Sequence, residues 1–213
     1  MRNLFGGKDN SGSLRGGEAE RVPRHSSGWK ELLNHLRTKE SLRILDIGPT
    51  SSTNINYITS LGHSIYMANL VEEAAKLEWM TPGQDGAAPV FDVSRFLAAN
   101  LNFSGRTFDV VIFWDTADYL PDVLLPHVIS RIQEALQPGG LMLAFFHAKV
   151  MGPEAGFSRY HLTDTDVVQM QRAGNYPVLH TYNNRQVENM LSTFSNYRFF
   201  LAKDNLREVI ATR

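Results

Sequence analysis

Apolar residues along this chain alternate between short unbroken runs and spacings of three and four, the patterns of a buried strand and of one helix face. Runs at 43–47, 64–68, 89–91, 108–114 and 141–147 predict strands. Helical spacing fills the gaps, at 53–61, 72–80, 94–100 and 124–136. Upstream, Trp29, Leu32, Leu33 and Leu36 recur with polar residues between them, which predicts a helix packed beside the first strand. After Leu136 the sequence Gln137-Pro138-Gly139-Gly140 stops a helix and turns the chain into the next strand. Near the C-terminus a helical pattern at 184–194 precedes two strand-like runs, 197–202 and 207–211, which Asp204 and Asn205 separate as in an antiparallel edge hairpin.

Strands alternating with helices build βαβ units, so the expected class is α/β, with a mainly parallel sheet, helices on both faces and the hairpin at its end. Two stretches break the alternation. Residues 1–27 carry two Gly-Gly pairs and no hydrophobic periodicity, which predicts a flexible tail ahead of a single domain at 28–213. Between 150 and 180, Gly152, Pro153, Gly156, Gly174 and Pro177 interrupt the pattern for about thirty residues. So long an irregular segment inside a compact domain predicts a lid or an insertion over a site.

The chemistry is concentrated where strands end. The first strand runs through Asp46 and Gly48 into Pro49-Thr50-Ser51-Ser52 and then a helix, the junction at which α/β proteins hold nucleotide-like ligands. This stretch resembles the first motif of the class I S-adenosylmethionine-dependent methyltransferases, an acidic residue followed by a glycine-rich loop, of which Gly48 remains. The second strand ends in Asn69, where that family places an acid on the ribose hydroxyls, and Glu72 or Glu73 stands one helical turn on. Phe91-Asp92-Val93 is similar to the family's adenine-contacting signature, although Asp92 serves equally well as a helix N-cap. The segment from Phe108 to Asp115, followed by Thr116-Ala117-Asp118-Tyr119-Leu120, resembles the family's fourth-strand motif.

The resemblance covers roughly residues 29 to 213 and implies a Rossmann-like methyltransferase fold with a seven-stranded sheet. It implies S-adenosylmethionine as cofactor, with Asp46, Gly48, Thr50, Asn69, Asp92, Val93 and Trp114 as the binding candidates. Trp114 and Asp115 face the methyl group in that reading, for stacking and acceptor positioning. His147 ends the fifth strand on the same edge and, with Asp115, is the catalytic candidate, since imidazole titrates near neutrality. Tyr160 and His161 stand in the lid segment as further candidates. The alternative is a non-catalytic, methyltransferase-like interaction protein with a degenerate cofactor site. It is motivated by the missing loop glycines and the neutral Asn69.

Composition narrows the partners. At 213 residues with 43% hydrophobic content, the chain has room for one α/β domain and not for two. A formal charge of -1 gives no broad footprint for nucleic acid or an anionic membrane, so a small-molecule or protein acceptor is expected. The absence of cysteine excludes disulfides, thiolate metal sites and thiol nucleophiles. With no paired-histidine metal spacing, no Gly-x-x-x-x-Gly-Lys loop and no Gly-x-Gly-x-x-Gly, neither a metal, ATP nor a nicotinamide is expected. No apolar run approaches membrane-spanning length and no signal-peptide core opens the chain, so a soluble cytoplasmic protein is expected.

Overall fold

The computed structural model describes residues 19–83, 86–149, 156–202 and 204–213. In chain order the elements are β1 (Arg21–His25), α1 (Ser27–Thr38), β2 (Arg43–Ile47), α2 (Ser52–Ser60), β3 (Ser64–Ala68) and α3 (Leu70–Ala74). They continue with β4 (Met80–Thr81), β5 (Val90–Phe91), α4 (Val93–Asn100), β6 (Phe108–Trp114), α5 (Leu125–Ala135) and β7 (Leu136–His147). The chain closes with β8 (Ser158–His161), β9 (Val167–Arg172), α6 (Asn184–Met190), β10 (Asn196–Phe200) and β11 (Leu206–Thr212). A single turn of 3₁₀ helix, Thr116–Tyr119, follows β6.

Six strands form the main sheet in the order β10-β11-β7-β6-β2-β3. Neighbours among β7, β6, β2 and β3 are parallel, and β11 runs antiparallel to both β7 and β10. The expected seventh strand is missing from it: the run at 89–91 shortens to β5 and pairs with β4 in a separate two-stranded ribbon. Two or three apolar residues flanked by Pro89 and Asp92 offer too short a ladder to extend a parallel sheet.

Each sheet face carries its own core. One holds Leu45, Val111, Phe113, Phe146 and Val209 under α4, α5 and α6. The other holds Ile44, Val110, Ile112, Leu143 and Ile210 under α1 and α2. Adjacent residues of β6 alternate between the two clusters, as a strand buried on both faces requires. Ser26 caps α1 by accepting the Trp29 N–H at 3.0 Å, and the helix then buries Trp29, Leu32, Leu33 and Leu36.

Residues 21–25, expected within the flexible tail, instead form β1, and residues 158–172 of the expected lid form β8 and β9. Together they make a three-stranded antiparallel sheet, β1-β9-β8. A buried ion pair ties this sheet to the main one. Arg24 donates to Glu208 at 2.5 Å and to Asp204 at 2.6 Å, and Glu208 also accepts from Ser26 Oγ and the Gly28 N–H. Asn54 of α2 fixes the other side, donating to the Tyr160 carbonyl and accepting the Leu162 N–H, each at 2.8 Å.

Candidate functional site

The carboxyl ends of β2 and β3 open onto a cleft of about 360 Å³. Its floor is Gly48, Pro49, Thr50, Ala68, Asn69 and Glu72. Phe157, Arg159, Ala173 and Tyr176 roof it from the β8 and β9 side. Arg159 Nε donates to the Pro49 carbonyl at 2.8 Å, which pins roof to floor.

Asn69 and Glu72 act as a pair. The Asn69 amide donates to Glu72 Oε2 at 2.6 Å, while Asn69 Oδ1 is buried and has no hydrogen-bond partner among the described residues. The Asn69 amide therefore orients the Glu72 carboxylate, which lines the cleft as an acceptor suited to a diol, while Asn69 Oδ1 is closed off from solvent. Glu73 is turned away in a salt bridge to Lys76 at 2.7 Å.

Asp46 lies beneath the loop, fully buried, and does not line the cleft. It accepts from Trp114 Nε1 at 2.7 Å, from Thr50 Oγ1 at 2.9 Å and from Asn54 Nδ2 at 3.5 Å. Burial pushes its pKa up to about 6, and the three hydrogen bonds hold it from rising further. Its part is to shape the loop. Gly48 fits closely above it: a Cβ there would stand 3.1 Å from Trp114 Cδ1, and the indole would have to give by a few tenths of an ångström.

Trp114 is likewise interior. Its ring stacks on Tyr160 at 4.6 Å between centroids and 7° between planes. Asp92 caps α4, accepting the Arg95 N–H at 3.0 Å, and Val93 packs against the core; neither lines the cleft.

The ends of β6 and β7 bring Asp115, Asp118 and His147 together. Asp118 Oδ2 accepts from both the His147 backbone N–H and Nδ1, each at 2.7 Å. Burial works against a charged His147 ring, but the Asp118 hydrogen bond and the charges of Asp115 and Asp118 outweigh it and raise the pKa. Burial raises Asp118 as well, so the pair keeps its protons to higher pH. Asp115 is pushed up to about 7, by burial first, against the pull of His147 and with the push of Asp118. Thr116 stitches this edge to the cleft by donating to the Ile47 carbonyl at 3.0 Å. His161, by contrast, is buried in the small sheet and bonds Gln171 at 2.8 Å.

Sequence reasoning did not single out Asp118, Tyr119 or Arg159. Asp118 stands three residues after Asp115, a spacing that suggests a shared helical face, but nothing in the sequence shows that the turn is buried. Arg159 sits beside Tyr160 in a stretch without pattern.

The fold and its strand-end cleft define a Rossmann-like α/β protein of the class I methyltransferase kind. A family model described as "Methyltransferase domain" matches residues 21–193, and the chain belongs to that family. No curated protein matches the sequence. Solved structures similar to it include TehB from Haemophilus influenzae, at 11% identity and TM-score 0.46, covering 86% of this chain and 61% of that one. The chain thus spans about three-fifths of TehB. Another is the 1,6-didemethyltoxoflavin-N1-methyltransferase of Burkholderia thailandensis, at 12% identity and TM-score 0.46, covering 88% and 79%. An S-adenosylmethionine dependent methyltransferase from Mesorhizobium loti matches at 15% identity and TM-score 0.46, covering 88% and 98%. Likenesses this remote add nothing about the site, and the family match carries the assignment.

Proposed function

We propose that this methyltransferase binds S-adenosylmethionine in the cleft between β2 and β3 and delivers its methyl group to a small-molecule or protein acceptor at the ends of β6 and β7. The Asn69–Glu72 pair is the observation that carries the reading: a carboxylate held by the Asn69 amide, in the same cleft as the Gly48 loop, suits a ribose diol. A volume of about 360 Å³ lies within the range of small-ligand sites. The non-catalytic alternative called for a cleft blocked by Pro49 or by the 150–180 segment. Pro49 and, from the described part of that segment, Phe157, Arg159, Ala173 and Tyr176 border the cleft without filling it.

When bound, S-adenosylmethionine supplies a methyl group on a sulfonium, an activated donor for in-line displacement. The chain's own residues do the rest. Glu72, held by Asn69, orients the ribose, and Gly48 allows close backbone approach. The 156–180 segment acts as the lid, latched by Arg159 on Pro49, and limits water at the reacting centre. Asp115 and His147 stand at the acceptor edge as proton acceptors. Equilibrium dialysis against radiolabelled S-adenosylmethionine tests the reading. Saturable retention at micromolar concentration supports it, and no retention at millimolar concentration sinks it.

A further inference from the structure

Arg159 reaches the cleft from β8, half-buried, with only part of its donor capacity in use. Its Nε donates to the Pro49 carbonyl at 2.8 Å, which anchors the guanidinium against the Gly48 loop. Among the described residues Nη1 and Nη2 have no hydrogen-bond or ion-pair partner. Glu72 is the one acid in the lining of the cleft, and no salt bridge joins it to Arg159. Its carboxylate is taken up by the Asn69 amide instead.

The loop beneath has no donor to offer an anion. The Gly48 N–H is spent on the Ala68 carbonyl at 2.9 Å and the Thr50 N–H on the Gly48 carbonyl at 2.8 Å. Thr50 Oγ1 donates to Asp46, and Pro49 has no N–H. The guanidinium is therefore what the loop side of the cleft can turn toward a negative group. With Nε occupied, the edge left over carries the Nη1 and Nη2 hydrogens side by side, a fork that matches the two oxygens of a carboxylate. A hydroxyl would leave the charge without a counterpart. A phosphate dianion would bring excess negative charge into a cleft that already holds Glu72.

We propose that Arg159 recognises the α-carboxylate of the cofactor and makes that group a condition of tight binding. The inference deepens the S-adenosylmethionine reading and rests on it. Glu72 and Arg159 are the two charged residues in the lining of one cleft, of opposite sign and unpaired with each other, so a single ligand with a donor diol and an anionic end satisfies both. The bound carboxylate ties β8 to the ligand, so the lid segment completes the cofactor site. A cofactor that has lost its carboxylate finds Arg159 without a partner and is rejected.

The test is a calorimetric titration of the whole chain with S-adenosylhomocysteine and with the analogue in which hydrogen replaces the α-carboxylate, in wild type, Arg159→Gln and Arg159→Lys. Wild type should bind S-adenosylhomocysteine about tenfold or more tightly than the analogue, the size of a charge-assisted fork. In Arg159→Gln that ratio should fall to about unity, and Arg159→Lys, which keeps the charge and loses the fork, should lie between. Arg159→Lys carries the comparison alone should Arg159→Gln fail to fold. A side chain that served only to latch the lid would weaken both ligands in parallel, and an unchanged ratio in the variants overturns the inference. Equal binding of the two ligands by wild type overturns it too, while leaving the cofactor reading intact. Binding of neither ligand by wild type removes the cofactor reading and the inference with it.

Discussion

The Trp114 indole donates a 2.7 Å hydrogen bond to Asp46 Oδ1 and so joins the end of β6 to the end of β2 beneath the Gly48 loop. Trp114 reaches it with a φ of +46°, unusual for a bulky residue, at an irregularity in the β6–β7 register after Ile112. A left-handed backbone at so large a side chain persists only where the surroundings enforce it. Here the Tyr160 stack and the Asp46 bond do so.

Trp114→Phe keeps the ring and removes the donor. Asp46 would lose its shortest hydrogen bond while buried, at a cost of about 1–3 kcal/mol. Urea denaturation followed by fluorescence or circular dichroism should show that loss. S-adenosylhomocysteine affinity should fall with it, because the loop above Asp46 loosens.

Asn69→Asp separates two accounts of the ribose contact. The family pattern places an acid at 69, and restoring it would tighten binding if Asn69 alone served the ribose. The Asn69–Glu72 hydrogen bond predicts otherwise: the substitution sets two carboxylates face to face, and affinity for S-adenosylhomocysteine should not improve. Competition binding against wild type decides this.

Glu208→Ala addresses the docking of β1. It strips Arg24, Ser26 Oγ and the Gly28 N–H of an acceptor in a buried site, leaving Arg24 with Asp204 and the Leu206 carbonyl. A buried ion pair broken from one side costs about 3–5 kcal/mol. Hydrogen exchange should then rise first in residues 21–25 and 167–172.

Stability should also decline with pH in a defined window. Asp115 carries a pKa raised from its ordinary value of 3.8 to about 7, and Asp46 one raised to about 6. The native state binds these protons more tightly than the unfolded chain. Their contribution is therefore full below about pH 4 and is lost as pH rises through 6 and 7. Melting temperatures of wild type and Asp115→Asn should diverge across that range, with the variant showing the flatter profile.

Much of the main sheet was legible because its strands are long apolar runs: β2, β3 and β6 fall on the residues the pattern predicts. The small sheet was not. β1 contains Pro23 at an edge and β9 reads Val167-Val168-Gln169-Met170-Gln171-Arg172, so neither announces itself against a polar background. At the site, Gly48 and Asn69 were legible because strand ends locate them. The inward turn of Trp114 depends on a bulge and a positive φ that side-chain identity does not encode. The burial of Asp118 depends on a 3₁₀ turn packed under Phe157 and His147.

The central claim is that the Asn69–Glu72 pair holds the cofactor's ribose. Calorimetric titration of S-adenosylhomocysteine into wild type and Glu72→Gln, side by side, tests it most directly. The account predicts saturable binding by wild type and a loss of about tenfold in the variant, the size of one charge-assisted hydrogen bond at about 1.5 kcal/mol. Equal affinity in the two proteins, or no binding by either, would contradict it.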